Sequence, residues 1–201
     1  GDRLMDDLTR ALAEITTATL TTVLLKKGLR NVWLRGPMPL AAGERVVGPA
    51  FTLRFVPARE DLATPESWSS PTSTRAAIED MPAGVVTVAD AGGVTDAGIF
   101  GDILCARMKK RGVTALVTDG AVRDLDGVLA TDLPVWSRGA AAPPSVAALT
   151  FAGWQEPIGC GGVAVMPGDL IVADKDGAVC VPRALAEEVA EAGLEQERLE
   201  A

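Results

Sequence analysis

Two apolar segments on either side of one helix-forming segment constrain the fold of this chain more than any other feature. Residues 84–90 (GVVTVAD) and 113–118 (VTALVT) are nearly continuous runs of apolar and β-branched residues, which predicts buried strands. Residues 101–111 space three large apolar side chains so that they can face a core, which predicts a helix. A strand–helix–strand unit of this kind has parallel strands and a right-handed crossover. The chain is therefore predicted to be an α/β protein.

Hydrophobic periodicity and turn residues predict the other elements. They are helices at 2–13 and 17–27, a strand at 46–56, a loop at 57–82 with a helical piece around 74–80, a strand near 133–136 before a Pro/Ala-rich connection, two or three antiparallel strands within 161–182, and a helix from Ala184. With 201 residues and 48% apolar content, the chain can bury the core of one domain of ordinary size. We predict one domain over residues 1–201, built on a mixed sheet.

The sequence contains no histidine. This excludes Ser-His-Asp and Cys-His catalysis, and it excludes a metal held by imidazole. A bound metal would need oxygen ligands, which favours Mg²⁺ or Mn²⁺, and proton transfer would fall to carboxylates, lysine or water. The three cysteines, Cys105, Cys160 and Cys180, are far apart and form no CxxC pair, which predicts buried reduced thiols.

The charge of the chain limits its partners. Its formal net charge is −8 and no basic stripe is present, so we expect no nucleic-acid partner. No apolar run approaches the roughly 18 residues of a membrane span, and no signal peptide is visible. We therefore expect no membrane association and a cytoplasmic location.

Polar residues follow the predicted parallel strands at one edge of the sheet. Gly101 and Asp102 open the helix at 101–111, and Arg123 and Asp124 follow the second strand. Ligands of open α/β sheets bind at this edge. The free amides at the start of the helix suit a carboxylate. The Arg123 guanidinium suits a carbonyl or enolate oxygen, and the aspartates suit a hard divalent cation. Asp102 could instead cap the helix, and Arg123 and Asp124 could form a surface ion pair.

Two long segments carry a family resemblance. GDILCARMKKRGVTALVTDGAVRD and PIGCGGVAVMPGDLIVADKDGAVCVP resemble the 4-hydroxy-4-methyl-2-oxoglutarate aldolase family, which also includes the regulators of ribonuclease activity A (RraA-like). The likeness extends from about Ile15 to the final helix. The signature of the family is an Asp, twenty intervening residues and Arg-Asp, and Asp102, Arg123 and Asp124 match it.

The resemblance implies a role for each of these residues. Asp124 would bind a divalent metal directly, and Arg123 would hold the keto or enolate oxygen of pyruvate. Asp102 would order a metal-bound water that moves the proton. Backbone amides near Ile103 and Leu104, in the helix that follows Gly101, would bind the substrate carboxylate. The implied fold is a compact α/β/α swivelling-type domain.

The resemblance also implies an activity and an assembly. The activity is metal-dependent aldol cleavage of a 4-hydroxy-2-oxo acid to pyruvate, with possible oxaloacetate decarboxylation through the same enolate. Trimers or hexamers would form active sites between subunits, with a carboxylate borrowed from a neighbour. The candidates are the glutamates of the C-terminal segment, Glu187, Glu188, Glu191, Glu195, Glu197 and Glu200. Thr21-Thr22 stands where many members carry Ser-Asp.

Several alternatives remain open at this stage. Some relatives are non-catalytic regulators that bind ribonuclease E or helicases, and a lyase or hydratase acting on a sugar-acid derivative would use the same enolate chemistry. Residues 174–177 resemble the start of a calcium loop, although a hairpin turn fits them better. The lysines occur as exposed-looking pairs or in that turn, which does not favour a Schiff-base enzyme. Arg75 and Glu79 share one helical face and could line the pocket.

Overall fold

A mixed β-sheet with helices packed against it forms the framework of the computed structural model, which describes residues 2–43 and 45–201. The strands in these residues are β1 (Met38–Pro39), β2 (Val46–Pro57), β3 (Val86–Asp90), β4 (Gly98–Phe100), β5 (Ala115–Thr118), β6 (Ala121–Val122), β7 (Val135–Ser137), β8 (Leu149–Trp154), β9 (Ile158–Cys160), β10 (Val163–Val165), β11 (Leu170–Asp174) and β12 (Gly177–Val181). The α-helices are α1 (Asp2–Leu12), α2 (Thr17–Lys26), α3 (Thr74–Glu79), α4 (Asp102–Lys110), α5 (Leu125–Ala130) and α6 (Ala186–Glu200). The predicted α/β class with a mixed sheet is confirmed.

The main sheet has the strand order β1-β7-β5-β3-β2-β11-β12, and β8 pairs with β2. The four central strands, in the order β7-β5-β3-β2, are parallel to one another. The pairs β1–β7, β2–β8, β2–β11 and β11–β12 are antiparallel. The predicted strand–helix–strand unit is β3–α4–β5, with a parallel register from Val86–Ala115 to Ala89–Thr118. The carboxyl ends of β3 and β5 therefore lie at the same edge of the sheet.

Alternation along β2 shows how the helices are fixed to the sheet. Phe51, Leu53 and Phe55 point to one face and share a buried cluster with Ile78 of α3 and Met108 of α4. Full burial of one such side chain stabilises the fold by about 1.5–3 kcal/mol. A second cluster lies beneath α1, α2 and α6, and a third lies between the sheet and the β9–β10 hairpin. The packing of α3 and α4 on β2 positions the polar residues described below.

Local hydrogen bonds explain where the predicted helices begin and end. The hydroxyl of Thr16 accepts a hydrogen bond from the Thr19 amide at the start of α2, and Gly28 adopts a φ of +89° just beyond its end. Ser73 caps α3 in the same way. These helices match the predicted 17–27 and 74–80. None of the helices in the described residues is both long enough and apolar enough to cross a bilayer.

Some elements were not anticipated. β8 lies beyond the predicted Pro/Ala-rich connection, and its LTFAGW sequence lacks the alternation that marks a half-buried strand. β4 and β6 have three and two residues, too few for a periodic pattern. The turn from Asp174 to Gly177 joins β11 to β12, as predicted, and the Asp174 carboxylate accepts hydrogen bonds from the amide and hydroxyl of Thr17 at 2.9 and 2.7 Å. The Asp174 carboxylate therefore links the start of α2 to the sheet through two hydrogen bonds.

The cysteines match their prediction, since all three are free and buried. Burial, together with the negative charge of Asp102, raises the pKa of the Cys105 thiol to about 12. Burial also raises the pKa values of Cys160 and Cys180. The thiols are therefore protonated near neutral pH and act as small apolar core residues.

Candidate active site

A cleft of about 480 Å³ lies at the start of α4, beside β4 and β6. Its charged lining residues are Arg75, Asp102, Arg123 and Asp124. The other residues that line it are Trp68, Thr74, Gly98, Ile99, Gly101, Ile103, Leu104, Pro144 and Ser145. The predicted residues of the Asp102, Arg123 and Asp124 set and of the helix start, Gly101, Ile103 and Leu104, thus border one cavity.

A two-stranded parallel sheet of β4 and β6 brings the two halves of the predicted site together. The amide of Arg123, just beyond β6, donates a hydrogen bond of 2.9 Å to the carbonyl of Phe100 in β4. A Cβ atom at Gly98 would lie 2.5 Å from the Cβ and 2.6 Å from the amide nitrogen of Arg123. Because a side chain cannot fit there, Gly98 allows the close backbone approach that places Arg123 beside the start of α4.

A backbone carbonyl fixes the orientation of the Arg123 side chain. Its Nε donates a hydrogen bond of 3.1 Å to the carbonyl oxygen of Ala142, in the connection after β7. In the part of the chain that the structure describes, Arg123 forms no ion pair with Asp124. The alternative interpretation, that Arg123 and Asp124 form a surface ion pair, is therefore wrong. The remaining N–H donors of the Arg123 guanidinium are available to a ligand.

Asp124 adopts an unusual backbone conformation. Its φ of 55° and ψ of 61° lie in the left-handed region, which costs a non-glycine residue about 1–2 kcal/mol. It stands immediately before α5, yet its side chain does not cap that helix. Asp132 and Gln155, which do not line the cleft, also have a positive φ, so this conformation by itself does not mark a functional site.

The side chains of Asp102 and Asp124 both lie close to Gly127. A Cβ atom at this position would be 2.4 Å from Oδ2 of Asp124 and 2.8 Å from Cβ of Asp102. Asp102 is the first residue of α4, whose N-cap is Gly101, so it does not cap the helix as considered above. Glycine in this short helix is what permits both aspartates to approach the same point.

These carboxylates suit a hard divalent cation with few protein ligands. The described residues form no group of three or more Cys, Asp or Glu side chains that could enclose a metal. Asp124, with Asp102 beside it, could therefore supply only part of a coordination shell. Mg²⁺ commonly binds through one or two carboxylates and retains several waters or substrate oxygens, so this donor set fits the group.

The start of α4 offers donors for an anion. Gly101 precedes the helix in an extended conformation, with a φ of −111° and a ψ of −167°. The amides of Ile103 and Leu104 lie in the first turn, where helix N–H groups have no intrahelical acceptor. Both residues line the cleft, and Ile103 is 71% exposed. This arrangement suits a carboxylate at the positive end of the helix dipole.

The structure separates the two residues of α3 that could have lined the pocket. Arg75 lines the cleft, whereas Glu79 does not line it and its carboxylate binds Arg107 and Arg111. Both Arg75 and Glu79 also border an adjoining cavity. Sequence reasoning missed Trp68, Pro144 and Ser145, which lie in segments without a periodic or charged pattern. Among the residues that the structure describes, no lysine and none of the C-terminal glutamates lines the cleft.

The model of the RraA-like family, described as aldolase/RraA, matches residues 12–180. The chain belongs to the RraA-like family. A Halalkalibacterium halodurans relative, named as a candidate 4-hydroxy-4-methyl-2-oxoglutarate aldolase, is 35% identical over 154 residues, which are 75% of this chain and 66% of that protein. Legionella pneumophila DlpA is 29% identical over 185 residues, which are 92% of this chain and 29% of that protein.

A solved RraA-like structure shares the fold. The crystal structure of Streptomyces coelicolor RraAS2, described as an unusual member of the RNase ES inhibitor RraA protein family, superposes with a TM-score of 0.87 at 36% sequence identity. The match covers 96% of this chain and 93% of that one. The predicted family and fold are thus confirmed. The chain spans less than two thirds of the length of the curated relatives above, at 66% and 29%.

Proposed function

We propose that this RraA-like protein is a divalent-metal-dependent lyase that cleaves 4-hydroxy-2-oxo acids, such as 4-hydroxy-4-methyl-2-oxoglutarate, to pyruvate. The observation that carries the proposal is the convergence of Asp102, Arg123 and Asp124 on one cleft at the start of α4. The relatives named as candidate aldolases support the same activity.

Binding of the substrate uses groups that the fold holds in place. The substrate carboxylate accepts hydrogen bonds from the first-turn amides of Ile103 and Leu104. The C2 keto oxygen faces the guanidinium of Arg123, whose direction the Ala142 carbonyl fixes. Asp124 and Asp102 would hold Mg²⁺ or Mn²⁺, which supplies Lewis-acid polarisation of the keto group when bound.

Bond cleavage places charge where Arg123 can stabilise it. Asp102 takes the proton of the 4-hydroxyl group, directly or through a water, as the C3–C4 bond breaks and the distal fragment leaves as a carbonyl compound. The electron pair of that bond forms the pyruvate enolate, whose C2 oxygen accepts hydrogen bonds from Arg123. Protonation at C3 then gives pyruvate. Decarboxylation of oxaloacetate forms the same enolate with loss of CO₂, so the same groups serve both reactions.

Pyruvate release tests the proposal. Chelator-treated protein is supplied with Mg²⁺ or Mn²⁺, and pyruvate from 4-hydroxy-4-methyl-2-oxoglutarate and from oxaloacetate is measured with a lactate dehydrogenase couple. We expect Asp124→Ala and Arg123→Met to lower kcat/KM at least about 100-fold, the usual effect of removing one group that stabilises a transition state. Asp126→Ala is the matched control, because Asp126 lies in the same helix but outside the cleft. Absence of pyruvate from both substrates with either metal refutes the proposal.

A regulatory function is the second candidate. The similarity to RraAS2, a member of an RNase ES inhibitor family, favours it. Inhibition of a ribonuclease of this type by the purified protein, equal with and without metal and unchanged by Asp124→Ala, would support regulation. Combined with no activity on either keto acid, that result would replace the lyase proposal.

We extend the proposal to assembly. A trimer or hexamer would bring a glutamate from a neighbouring subunit to the cleft, where the described residues of this chain supply two carboxylates. Within the chain, Glu188 binds Lys27 and Glu197 accepts a hydrogen bond from the Thr16 amide. The mass in solution, measured by light scattering, tests this part separately from activity.

A further inference from the structure

Arg75 is an exposed residue that borders both the cleft and the adjoining cavity of about 510 Å³. It is the second residue of α3, and it lines the cleft together with Asp102, Arg123 and Asp124. Among residues 2–43 and 45–201, no other residue that lines the cleft carries a charge. Arg75 is thus the one cationic lining residue in this part of the chain that the proposed mechanism does not use.

The neighbour expected to neutralise Arg75 is already engaged. Glu79 follows Arg75 by four residues, a spacing at which helical side chains commonly pair. Its carboxylate instead accepts hydrogen bonds from Nε and Nη2 of Arg107 at 2.8 and 2.9 Å, and from Nη1 of Arg111 at 3.2 Å. The hydrogen bond and charge of Arg107 lower the pKa of Glu79, so this carboxylate stays ionised and bound there.

The next acidic residue along the chain is also engaged. Asp80 accepts a hydrogen bond of 3.0 Å from the indole N–H of Trp154. Within residues 2–43 and 45–201, the side chain of Arg75 has neither a hydrogen bond nor an ion pair. The five N–H donors of this exposed guanidinium are therefore available to a ligand that occupies the cleft.

The charged groups around the cleft indicate which ligand group the N–H donors of Arg75 would bind. The proposed mechanism assigns the keto-acid carboxylate to the amides at the start of α4, the keto oxygen to Arg123 and the cation to the aspartates, so none of these groups neutralises Arg75. A second carboxylate at the far end of the ligand would neutralise it, and guanidinium forks match carboxylates in charge and geometry. A cavity of about 480 Å³ lies within the range of small-molecule sites.

We propose that Arg75 binds the distal carboxylate of a dicarboxylic 2-keto acid and thereby selects dicarboxylic over monocarboxylic substrates. The inference rests on the proposed function for the orientation of the substrate, with its keto-acid end at Arg123 and α4. It assigns to Arg75 a role in specificity, separate from bond cleavage.

A matched pair of ligands tests this role without turnover. 2-Oxoglutarate and 2-oxopentanoate have the same five-carbon chain and differ in a carboxylate or a methyl group at C5, and neither has a 4-hydroxyl group to be cleaved. Their dissociation constants are measured by calorimetry on the full chain with Mg²⁺. We expect the wild type to prefer 2-oxoglutarate by at least about tenfold, a typical value for one charge-assisted contact. Arg75→Met should reduce the preference to twofold or less, and Arg75→Lys should retain part of it.

Arg59→Met is the control for loss of an exposed arginine, because Arg59 pairs with Asp61 outside the cleft. Its ligand preference should equal that of the wild type. Equal binding of both acids, binding of neither, or a preference that survives Arg75→Met overturns the inference. An Arg75-dependent preference in a protein that releases no pyruvate would refute only the proposed function. Pyruvate release without such a preference would refute only the role of Arg75.

Discussion

Substitution of Gly127 by alanine separates the geometry of the two aspartates from the stability of the fold. Gly127 lies within the short helix α5, where replacing glycine by alanine ordinarily stabilises a helix by about 1 kcal/mol. Here the added methyl group would lie 2.4 Å from Oδ2 of Asp124 and 2.8 Å from Cβ of Asp102. The substitution should therefore damage the site while leaving the protein folded.

The size of the effect follows from the displacement. To reach a separation of 3.0 Å from the new Cβ atom, Oδ2 of Asp124 must retreat by about 0.6 Å, and the Asp102 side chain must also shift. Productive sites tolerate errors of about 0.5 Å, and a misplacement of about 1 Å can cost roughly 100-fold in rate. We expect kcat/KM for pyruvate release to fall about 30- to 100-fold, which corresponds to about 2–2.7 kcal/mol of transition-state stabilisation.

Three measurements check this expectation. Steady-state pyruvate release gives kcat/KM, Mn²⁺ titration gives metal affinity, and urea unfolding gives stability, which should change by less than about 1 kcal/mol. Gly159→Ala is the control, because a Cβ atom there meets nothing within 4 Å. If Gly127→Ala binds Mn²⁺ and releases pyruvate like the wild type, Asp102 and Asp124 do not act together beside Gly127, and the prediction is refuted.

Two further predictions concern stability. Gly98→Ala places a Cβ atom 2.6 Å from the Arg123 backbone nitrogen, so we expect urea unfolding to show a loss of about 1–3 kcal/mol; an unchanged midpoint would contradict the close approach. Hydrogen bonds from Thr19 and Thr16 hold the pKa of Glu197 below its ordinary value of 4.5. Its stabilising effect is therefore present above about pH 4.5 and lost as the pH falls further, and Glu197→Gln should flatten the dependence of Tm on acid pH; parallel curves for both proteins would contradict this.

Much of the fold could be predicted because local patterns and burial agree. The apolar segments at 84–90 and 113–118 are strands because both their faces are covered, and a helix between them leaves only a parallel arrangement. Thr16, Ser73 and Gly28 mark helix ends through local hydrogen bonds and a positive φ. β4, β6 and β8 escaped prediction because their pairing partners are distant in sequence and their own patterns are too short or irregular.

The sequence by itself also predicted three residues that line the cleft, Asp102, Arg123 and Asp124. The lack of histidine left oxygen ligands for any metal, and the spacing of the three residues matched the signature expected of the family to which the chain belongs. Those conclusions depend only on residue type and order along the chain.

Tertiary structure alone decided how that trio is held and what surrounds it. Gly98 and Gly127 are indistinguishable from other glycines in the sequence, and only their distances to Arg123, Asp124 and Asp102 reveal that a side chain would clash. Arg75 and Glu79 lie four residues apart in α3, a spacing at which they could form an ion pair. The Glu79 carboxylate instead binds Arg107 and Arg111, which are distant in sequence, and Arg75 lines the cleft. Such contacts join residues from separate elements, so no local pattern records them, and they appear only when the chain is folded.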